Sequence, residues 1–308
     1  GGHLLTRLIE SPKVFLVAQP KVEWTEVMTY LIEVGDRTDT DAVGWTEGKV
    51  FNPDGEALVE IGGRLCYRSW VPGANMNVTK IREESEEYLG NILKSGHGSV
   101  LEHANYSFIF DDVSRVFTHE MVRHRAGVAV SQESMRFVRL TDIPFWFPEW
   151  ARDDEELMAR SIELLTQMED HQHWMGLHFE LDTTVECEKC DGAGRYDANS
   201  AGTVVEWQKC DACEGKGRVS KVPFSEKKHK TSFMRRFAPD GVATGMLCTI
   251  NVRALRHIIY MRTALGAEEE IRIVFDEVAR ICEREIPNLM QDYSPNEHGE
   301  WIPDFLKV

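Results

Sequence analysis

The stretch RHRAGVAVSQESMRF, residues 123–137, decides how the rest of this chain is read. In fifteen positions it carries three arginines, one histidine, two serines, a glutamine and a glutamate around the small apolar centre AGVAV. Arginine's planar fork matches phosphate, carboxylate and imide edges, so arginines crowded into a short segment suit a small anion. Ser131 and Ser134 add hydroxyl donors to that set. By itself the segment is equally a solvated turn with unrelated charges, and the flanking sequence has to decide.

Just upstream, SRVFTHEMVRHR offers Ser114 as a helix cap and places Val116, Phe117, Met121 and Val122 on an inward face. The arginine stretch therefore begins at a helix end and is expected to run into a loop. Earlier, ANYSFIF alternates Tyr106, Phe108 and Phe110 as a half-buried strand does. VTKIREESEEYLGNILKSG sets Ile81, Tyr88, Leu89, Ile92 and Leu93 on one helical face, with Gly96 as the stop. KVFLVAQ, residues 13–19, reads as a strand, and TEVMTYLIEVG as a helix ending at Gly35. The Asp-, Thr- and Gly-rich run from Asp36 to about Glu56 reads as a loop or insertion.

Downstream, a long helix is expected from about Asp154 to Leu181, and TINVRALRHIIYMR and AEEEIRIVFDEVARICEREI read as two more. The stripe Ile271, Val274, Phe275, Val278, Ile281 and Cys282 on the last is core or subunit packing. Acidic runs such as EESEE and DDEE are solvated faces and first-turn charges that suit the helix dipole.

The 308 residues carry 42% hydrophobic side chains and a formal net charge of -16. That acidity excludes a protein that coats nucleic acid non-specifically, yet leaves room for a local cationic pocket. No apolar run approaches the roughly 18 residues that span a bilayer, and the chain does not open on a basic segment followed by an apolar one. The expectation is a cytoplasmic chain with no membrane span.

Seven cysteines fall into two groups: Cys66, Cys248 and Cys282 stand alone, whereas Cys187, Cys190, Cys210 and Cys213 form CEKCDGAG and CDACEGKG, two CxxCxGxG units. The odd count and the pairing argue against a disulfide framework. Two thiolates three positions apart grip one metal ion if the chain turns tightly, and the glycines relieve that turn; four complete a structural zinc site. Unliganded thiols or a redox pair are the alternative. The spelling resembles the zinc repeats of DnaJ-type chaperones over this short stretch only. A closed four-cysteine site has no open position for catalysis, so residues 186–220 are expected to form a zinc-stapled inserted hairpin.

Four segments together, SGHGSVLEH, RHR…SQESMRF, MRRFAP and INVRALRHIIYMR, resemble the flavin-dependent thymidylate synthases in order and approximate spacing. The resemblance runs from about Gly62 to Arg262, interrupted by the cysteine insertion. It implies an α+β fold, a mixed sheet with long helices, forming a single catalytic domain over residues 1–308. It implies an enzyme that binds FAD, takes hydride from NADPH, and moves a one-carbon unit from methylenetetrahydrofolate to carbon 5 of a uridylate, dUMP or UMP. A homotetramer is implied because the family builds its flavin site from several subunits.

Residue by residue, the resemblance assigns the flavin to His97, Ser99, Glu102, Arg123, His124, Arg125, Gln132, Asn251, Arg253 and His257. The nucleotide falls to Glu120 through Arg123, to Gln132, Glu133, Ser134, Met135 and Arg136, and to Arg235 and Arg262. Arg235 corresponds to a phosphate ligand, and Arg262 to the arginine that contacts the uracil and promotes ionisation at N3. A guanidinium against the uracil edge makes carbon 5 nucleophilic without covalent attack by the protein, which explains the lack of a cysteine in these segments.

Four departures accompany the matches. The segment from Ala126 to Glu133 is one residue longer than is usual, Glu120 stands where glutamine is common, and Cys66 and Gly266 replace a serine and a histidine. A carboxylate at Glu120 beside a phosphate is unfavourable unless it is protonated or faces a cation or a sugar hydroxyl. The rival readings are a zinc-ribbon nucleic-acid binder using Lys227, Lys228, Lys230, Arg235 and Arg236, and a chaperone-like protein. Both leave the four arginine-bearing segments without a purpose.

Overall fold

Alternate side chains of the strand Asn105–Ser114 are buried, and Phe108 and Phe110 are wholly enclosed. This pattern belongs to a sheet with one face on a core. The strand is flanked by Lys13–Ala18 on one side and Ala243–Asn251 on the other, with Val128–Gln132 at the far edge. Every pairing in this sheet is antiparallel, so the α+β expectation holds while the expected mixed sheet is corrected. Alternation along a strand reports a half-covered face, and that face is what an antiparallel sheet offers.

The computed structural model describes residues 7–135, 142–198 and 205–308. They form two compact units, one of residues 7–8 with the described part of 133–242 and one of Ile9–Gln132 with Ala243–Val308. The four-stranded sheet belongs to the second. Its core takes the stripe of the helix Glu269–Glu285, all six residues of which are buried as expected. Phe275 lies 6.0 Å from Phe110 and 6.4 Å from Phe117, ring centroid to centroid. Each such side chain contributes about 2 kcal/mol by leaving water.

Ser114 ends the central strand and caps the helix Arg115–Met121, its Oγ accepting from the Phe117 amide at 3.0 Å. Phe117 and Met121 are buried as expected, but Val116 and Val122 are exposed. The helix is a short two turns, and only its Phe117–Met121 ridge reaches the sheet. Beyond it the chain does not stay a loop, because VAVSQ pairs with Met246–Ile250 as the edge strand.

Two further expectations are corrected. The first helix, Trp24–Thr38, passes through Gly35 and stops at Asp39, whose left-handed backbone (φ 52°) turns its amide back to the Gly35 carbonyl. Residues 36–56 are not a featureless loop: short turns at Ala42–Thr46 and Lys49–Phe51 lead into a helix, Asp54–Tyr67. That helix buries charge: Glu56, Glu60 and Arg64 are each at most 1% exposed. Arg64 bonds Glu60 at 2.8 Å and the Ser69 and Arg82 carbonyls at 2.6 Å, and Glu56 accepts from the Asn288 amide and side chain at 2.6 and 2.7 Å. Paired in this way the charges are tolerated inside.

In the other unit, Asp154 caps the helix Glu155–His178 by accepting from the Leu157 amide at 2.9 Å. A second helix, Phe224–Met234, runs back along it: Gln172 donates to the Met234 carbonyl at 3.0 Å, and the Lys230 ammonium lies 5.7 Å from the Phe179 ring centre. Between them stands the cysteine hairpin, with a base ladder of Thr184–Glu186 and Arg218–Ser220 and an upper one of Arg195–Asp197 and Trp207–Lys209. Among the described residues no helix is long and apolar enough to cross a membrane.

Candidate active site

The helix Val252–Thr263 follows directly on the central sheet, and Asn251 caps it by accepting from the Ala254 amide at 2.8 Å. Its N-terminus opens on a cleft of about 410 Å³ lined by Glu102, Arg123, His124, Arg125, Ala126, Gly127, Asn251, Arg253, Ala254, His257 and Ile258. Free amides and the positive end of the helix dipole make such a terminus an anion site. Arg253 is already matched by Glu102 at 2.6 Å, whereas Arg123 and Arg125 carry no ion pair among the described residues. The cleft is therefore cationic inside an acidic chain.

Gly127 makes the cleft possible. Its backbone is left-handed (φ 71°), and a Cβ there would lie 2.2 Å from the Asn251 side-chain nitrogen Nδ2. The close approach lets the Asn251 amide bond the Gly127 carbonyl at 3.0 Å, fastening the arginine turn to the helix cap. The small centre AGVAV thus supplies both the turn and the edge strand. Gly98 plays a similar part beneath Arg253, whose Nε lies 2.9 Å from where a Cβ would stand.

Arg262, at the far end of the same helix, meets the residues that precede this turn. It donates from Nε to His124 Nε2 at 2.9 Å, from Nη1 to Glu120 Oε2 at 2.7 Å, and from Nη2 to the Glu120 carbonyl at 3.3 Å. Because His124 accepts at Nε2, its proton sits on Nδ1. Burial, reinforced by the charges of Arg262 and His257, pushes the imidazole down to about 4, so the ring is neutral near pH 7. Glu120, the carboxylate where glutamine is common, faces a cation. Among the described residues, His124 alone lines the cleft and also bonds Arg262.

Of the ten residues expected at the flavin, seven line this cleft: Glu102, Arg123, His124, Arg125, Asn251, Arg253 and His257. Three do not. His97 is half-buried with its ring edge-on to Tyr67 at 5.8 Å, Ser99 is exposed on the turn Gly98–His103, and Gln132 ends the edge strand. The Gln132 amide nitrogen is buried with no partner among the described residues. Of the nucleotide set, Glu120, Arg123, Gln132 and Arg262 belong to the sheet unit, and Glu133, Ser134, Met135 and Arg235 to the other. Met135 packs with Ile143, Phe147 and Val242, and Arg235 is exposed on the turn Arg235–Phe237 with no ion pair among the described residues. Arg136 lies outside the described residues.

Ala126, Gly127, Ala254 and Ile258 also line the cleft and escaped sequence reasoning, which followed charged side chains. The glycine between RHR and the strand was the available signal. A larger cavity, about 570 Å³, lies beside Trp45, Lys49, Arg64 and Trp70. Its buried cations are already spent on Glu60, Ser85 and main-chain carbonyls, so we assign it no anion. Cys248 and Cys282 are buried and their thiols pushed up to about 12, which leaves neither a ready nucleophile.

The four paired cysteines are all buried, and their sulfurs lie within 4.8 Å of one another. Gly194 and Gly217 amides donate to Cys190 Sγ at 3.2 Å and Cys213 Sγ at 3.3 Å. Sulfurs so grouped and hydrogen-bonded fit a tetrahedral thiolate site.

Fold and cleft define an α+β protein with a cationic cleft at a helix N-terminus, on an antiparallel sheet. The chain belongs to the thymidylate synthase complementing protein family, whose model matches residues 50–288. It is 31% identical to a flavin-dependent thymidylate synthase of Mycolicibacterium vanbaalenii over 239 residues, covering 78% of this chain and 80% of the relative. A flavin-dependent thymidylate synthase of Mycobacteroides abscessus is 29% identical over 279 residues, 90% of this chain and 84% of that one. In fold it is similar to a UMP/dUMP methylase, PolB of Streptomyces cacaoi, bound with 5-Br UMP, at a TM-score of 0.54 and 12% identity over 92% and 94% of the two chains. The protein is an enzyme of this family.

Proposed function

We propose that the enzyme methylates carbon 5 of a uridylate, dUMP or UMP, with methylenetetrahydrofolate as carbon donor and NADPH as hydride source through FAD. The observation that carries this reading is His124, which among the described residues both lines the cationic cleft and bonds Arg262. Arg123, Arg125 and the helix N-terminus suit the pyrophosphate of FAD, with Glu102, Asn251, Arg253 and His257 around it and His97, Ser99 and Gln132 completing the flavin set. When bound, the flavin supplies hydride that completes the methyl group.

The protein's own part is positional and electrostatic. Arg262, held by His124 and the Glu120 carbonyl, presents the rest of its guanidinium to the uracil edge and favours the ring anion, so carbon 5 attacks without a protein nucleophile. His124, kept neutral, accepts from Arg262 and does not compete with it for the anion. By the resemblance, Arg235 binds the nucleotide phosphate, and Arg123 and Gln132 through Arg136 belong to the nucleotide set. Glu120 leaves Arg262 for a hydroxyl or N–H of the bound nucleotide.

In this reading residues 1–308 act as one catalytic chain, assembled as a homotetramer in the cytoplasm, and Cys187, Cys190, Cys210 and Cys213 hold a structural zinc ion in the 186–220 insertion. Free cysteines throughout fit a reducing compartment. Parallel turnover of dUMP and UMP by protein reconstituted with FAD, NADPH and methylenetetrahydrofolate tests the reading. Methylation of at least one is expected, and turnover of neither overturns it.

A further inference from the structure

The two antiparallel helices Glu155–His178 and Phe224–Met234 are joined by residues 179–223, far longer than the roughly 2–8 residues that usually connect such a pair. The ends of the insertion nevertheless meet, with the Lys221 amide on the Thr183 carbonyl at 2.9 Å and the Lys221 ammonium on Glu180 at 2.6 Å. Among the described residues, little apolar packing holds what lies between. Its buried cluster consists of the four cysteines with Tyr196 and Val219 against them, and its two ladders are three residues long. Ladders of that size do not stand alone in water.

What the insertion does have is two interlocked knuckles. The Cys187 amide bonds the Gly217 carbonyl and the Cys210 amide bonds the Gly194 carbonyl, each at 2.9 Å. A Cβ on Gly217 would lie 2.1 Å from the Gly192 carbonyl oxygen, so the two turns touch through backbone. Cys187 and Cys210 sulfurs are 3.8 Å apart and those of Cys190 and Cys213 3.6 Å. A tetrahedron with zinc–sulfur bonds of about 2.3 Å has edges of about 3.8 Å. One ion of that radius therefore fits with little rearrangement.

The helix leaving the hairpin ends on the phosphate arginine. Met234, its last residue, sits in a small core with Met175, Leu181 and Phe179, and Gln172 holds its carbonyl. Arg235 and Arg236 follow at once. Fixing the hairpin base fixes the start of this helix, and the helix is stiff enough over eleven residues to carry that restraint to Arg235.

We infer that the hairpin is a zinc clamp: the ion at Cys187, Cys190, Cys210 and Cys213 closes the helix pair and thereby sets the position of Arg235, so that metal occupancy governs affinity for the nucleotide phosphate without touching it. The inference rests on the reading of Arg235 as a phosphate ligand. Arg235 is the phosphate-binding residue, and the zinc site is its positioning element.

The test uses the whole enzyme with its flavin. Metal analysis should find one zinc per chain, lost in a Cys187→Ser/Cys213→Ser variant. Zinc removal from the native enzyme by a chelator should raise KM for the uridylate about tenfold, the scale of one charge-assisted phosphate contact, with kcat changed less than about twofold, and added zinc should reverse it. Amide exchange in residues 224–237 should quicken in step. Replacing 184–220 by a short glycine–serine linker between the adjoining ends should abolish zinc binding yet restore the low KM. Absence of stoichiometric zinc, an unchanged KM after its removal, or a linker variant with KM as high as the cysteine variant would overturn the clamp. Zinc content and amide exchange do not depend on turnover, so a native enzyme that binds zinc with the expected protection but methylates neither nucleotide contradicts the proposed function instead.

Discussion

The cationic cleft and the cysteine hairpin are held in place by opposite means. Behind the cleft lie a four-stranded sheet and the buried faces of two helices, and its arginines hang from a turn fastened to a helix cap. Behind the hairpin, among the described residues, the apolar cluster is small, four cysteines with Tyr196 and Val219, and the rest is backbone bonds and exposed charge pairs. Position in the first comes from burial spread over many residues, whereas in the second the proposed zinc ion would supply it. Loss of zinc should therefore loosen the hairpin and leave flavin affinity at the cleft unchanged, and a fall in both together would break the comparison.

The largest effect should follow from Arg262→Ala. Its surroundings are packed independently of it, so the fold should survive while kcat/KM falls about 10²- to 10³-fold, the usual loss for removal of one oriented charge donor. Arg262→Lys should recover little, because one ammonium cannot satisfy His124 and both Glu120 oxygens in the same plane. Steady-state kinetics on the circular-dichroism-verified variants checks both.

Gly127→Ala comes next. The left-handed backbone and the 2.2 Å approach to Asn251 leave no room for a methyl group. FAD affinity, followed by flavin fluorescence, should fall about tenfold or more, equal to about 1.4 kcal/mol. Asn251→Ala removes the cap without the clash and should cost about 1 kcal/mol of stability, seen as a lower Tm.

Smaller still is Glu120→Gln. The amide keeps a hydrogen bond to Arg262 but gives up the charge that competes with the nucleotide, and KM for the uridylate should fall about two- to fivefold, the modest scale of one partly buried pair.

The weakest effect concerns pH. His124 is held down to about 4 from an ordinary 6.5, so the unfolded chain takes up its proton at higher pH than the folded one. Its contribution to stability is full above about 6.5, declines on acidification, and levels off below about 4. A pH series of Tm for the native enzyme and a His124→Gln variant should converge toward pH 4.

How much of this could be read from residues alone follows the same division. Tyr106, Phe108 and Phe110, the Ser114 cap, the Gly96 stop and the Glu269–Glu285 stripe were legible because each is a local pattern with one physical cause. The helix Asp54–Tyr67 was not, since it buries Glu56, Glu60 and Arg64 where an apolar stripe would be sought, and their partners Asn288, Ser69 and Arg82 are remote or in loops. Gly35 misled for a related reason: glycine often ends helices, but here the left-handed residue is Asp39. At the site, the charged residues were legible through resemblance and seven converge on one cleft. The Arg262–His124–Glu120 arrangement was not, because a residue 138 positions from its partner leaves no trace in local spacing.

The central claim is that this chain places a methyl group on carbon 5 of a uridylate. It is tested most directly by supplying methylenetetrahydrofolate labelled in its one-carbon unit, with FAD, NADPH and either dUMP or UMP, and locating the label. The account predicts labelled 5-methyl nucleotide from at least one of them, with Arg262→Ala nearly devoid of it. NADPH consumed and flavin cycled with no label in either nucleotide would contradict it.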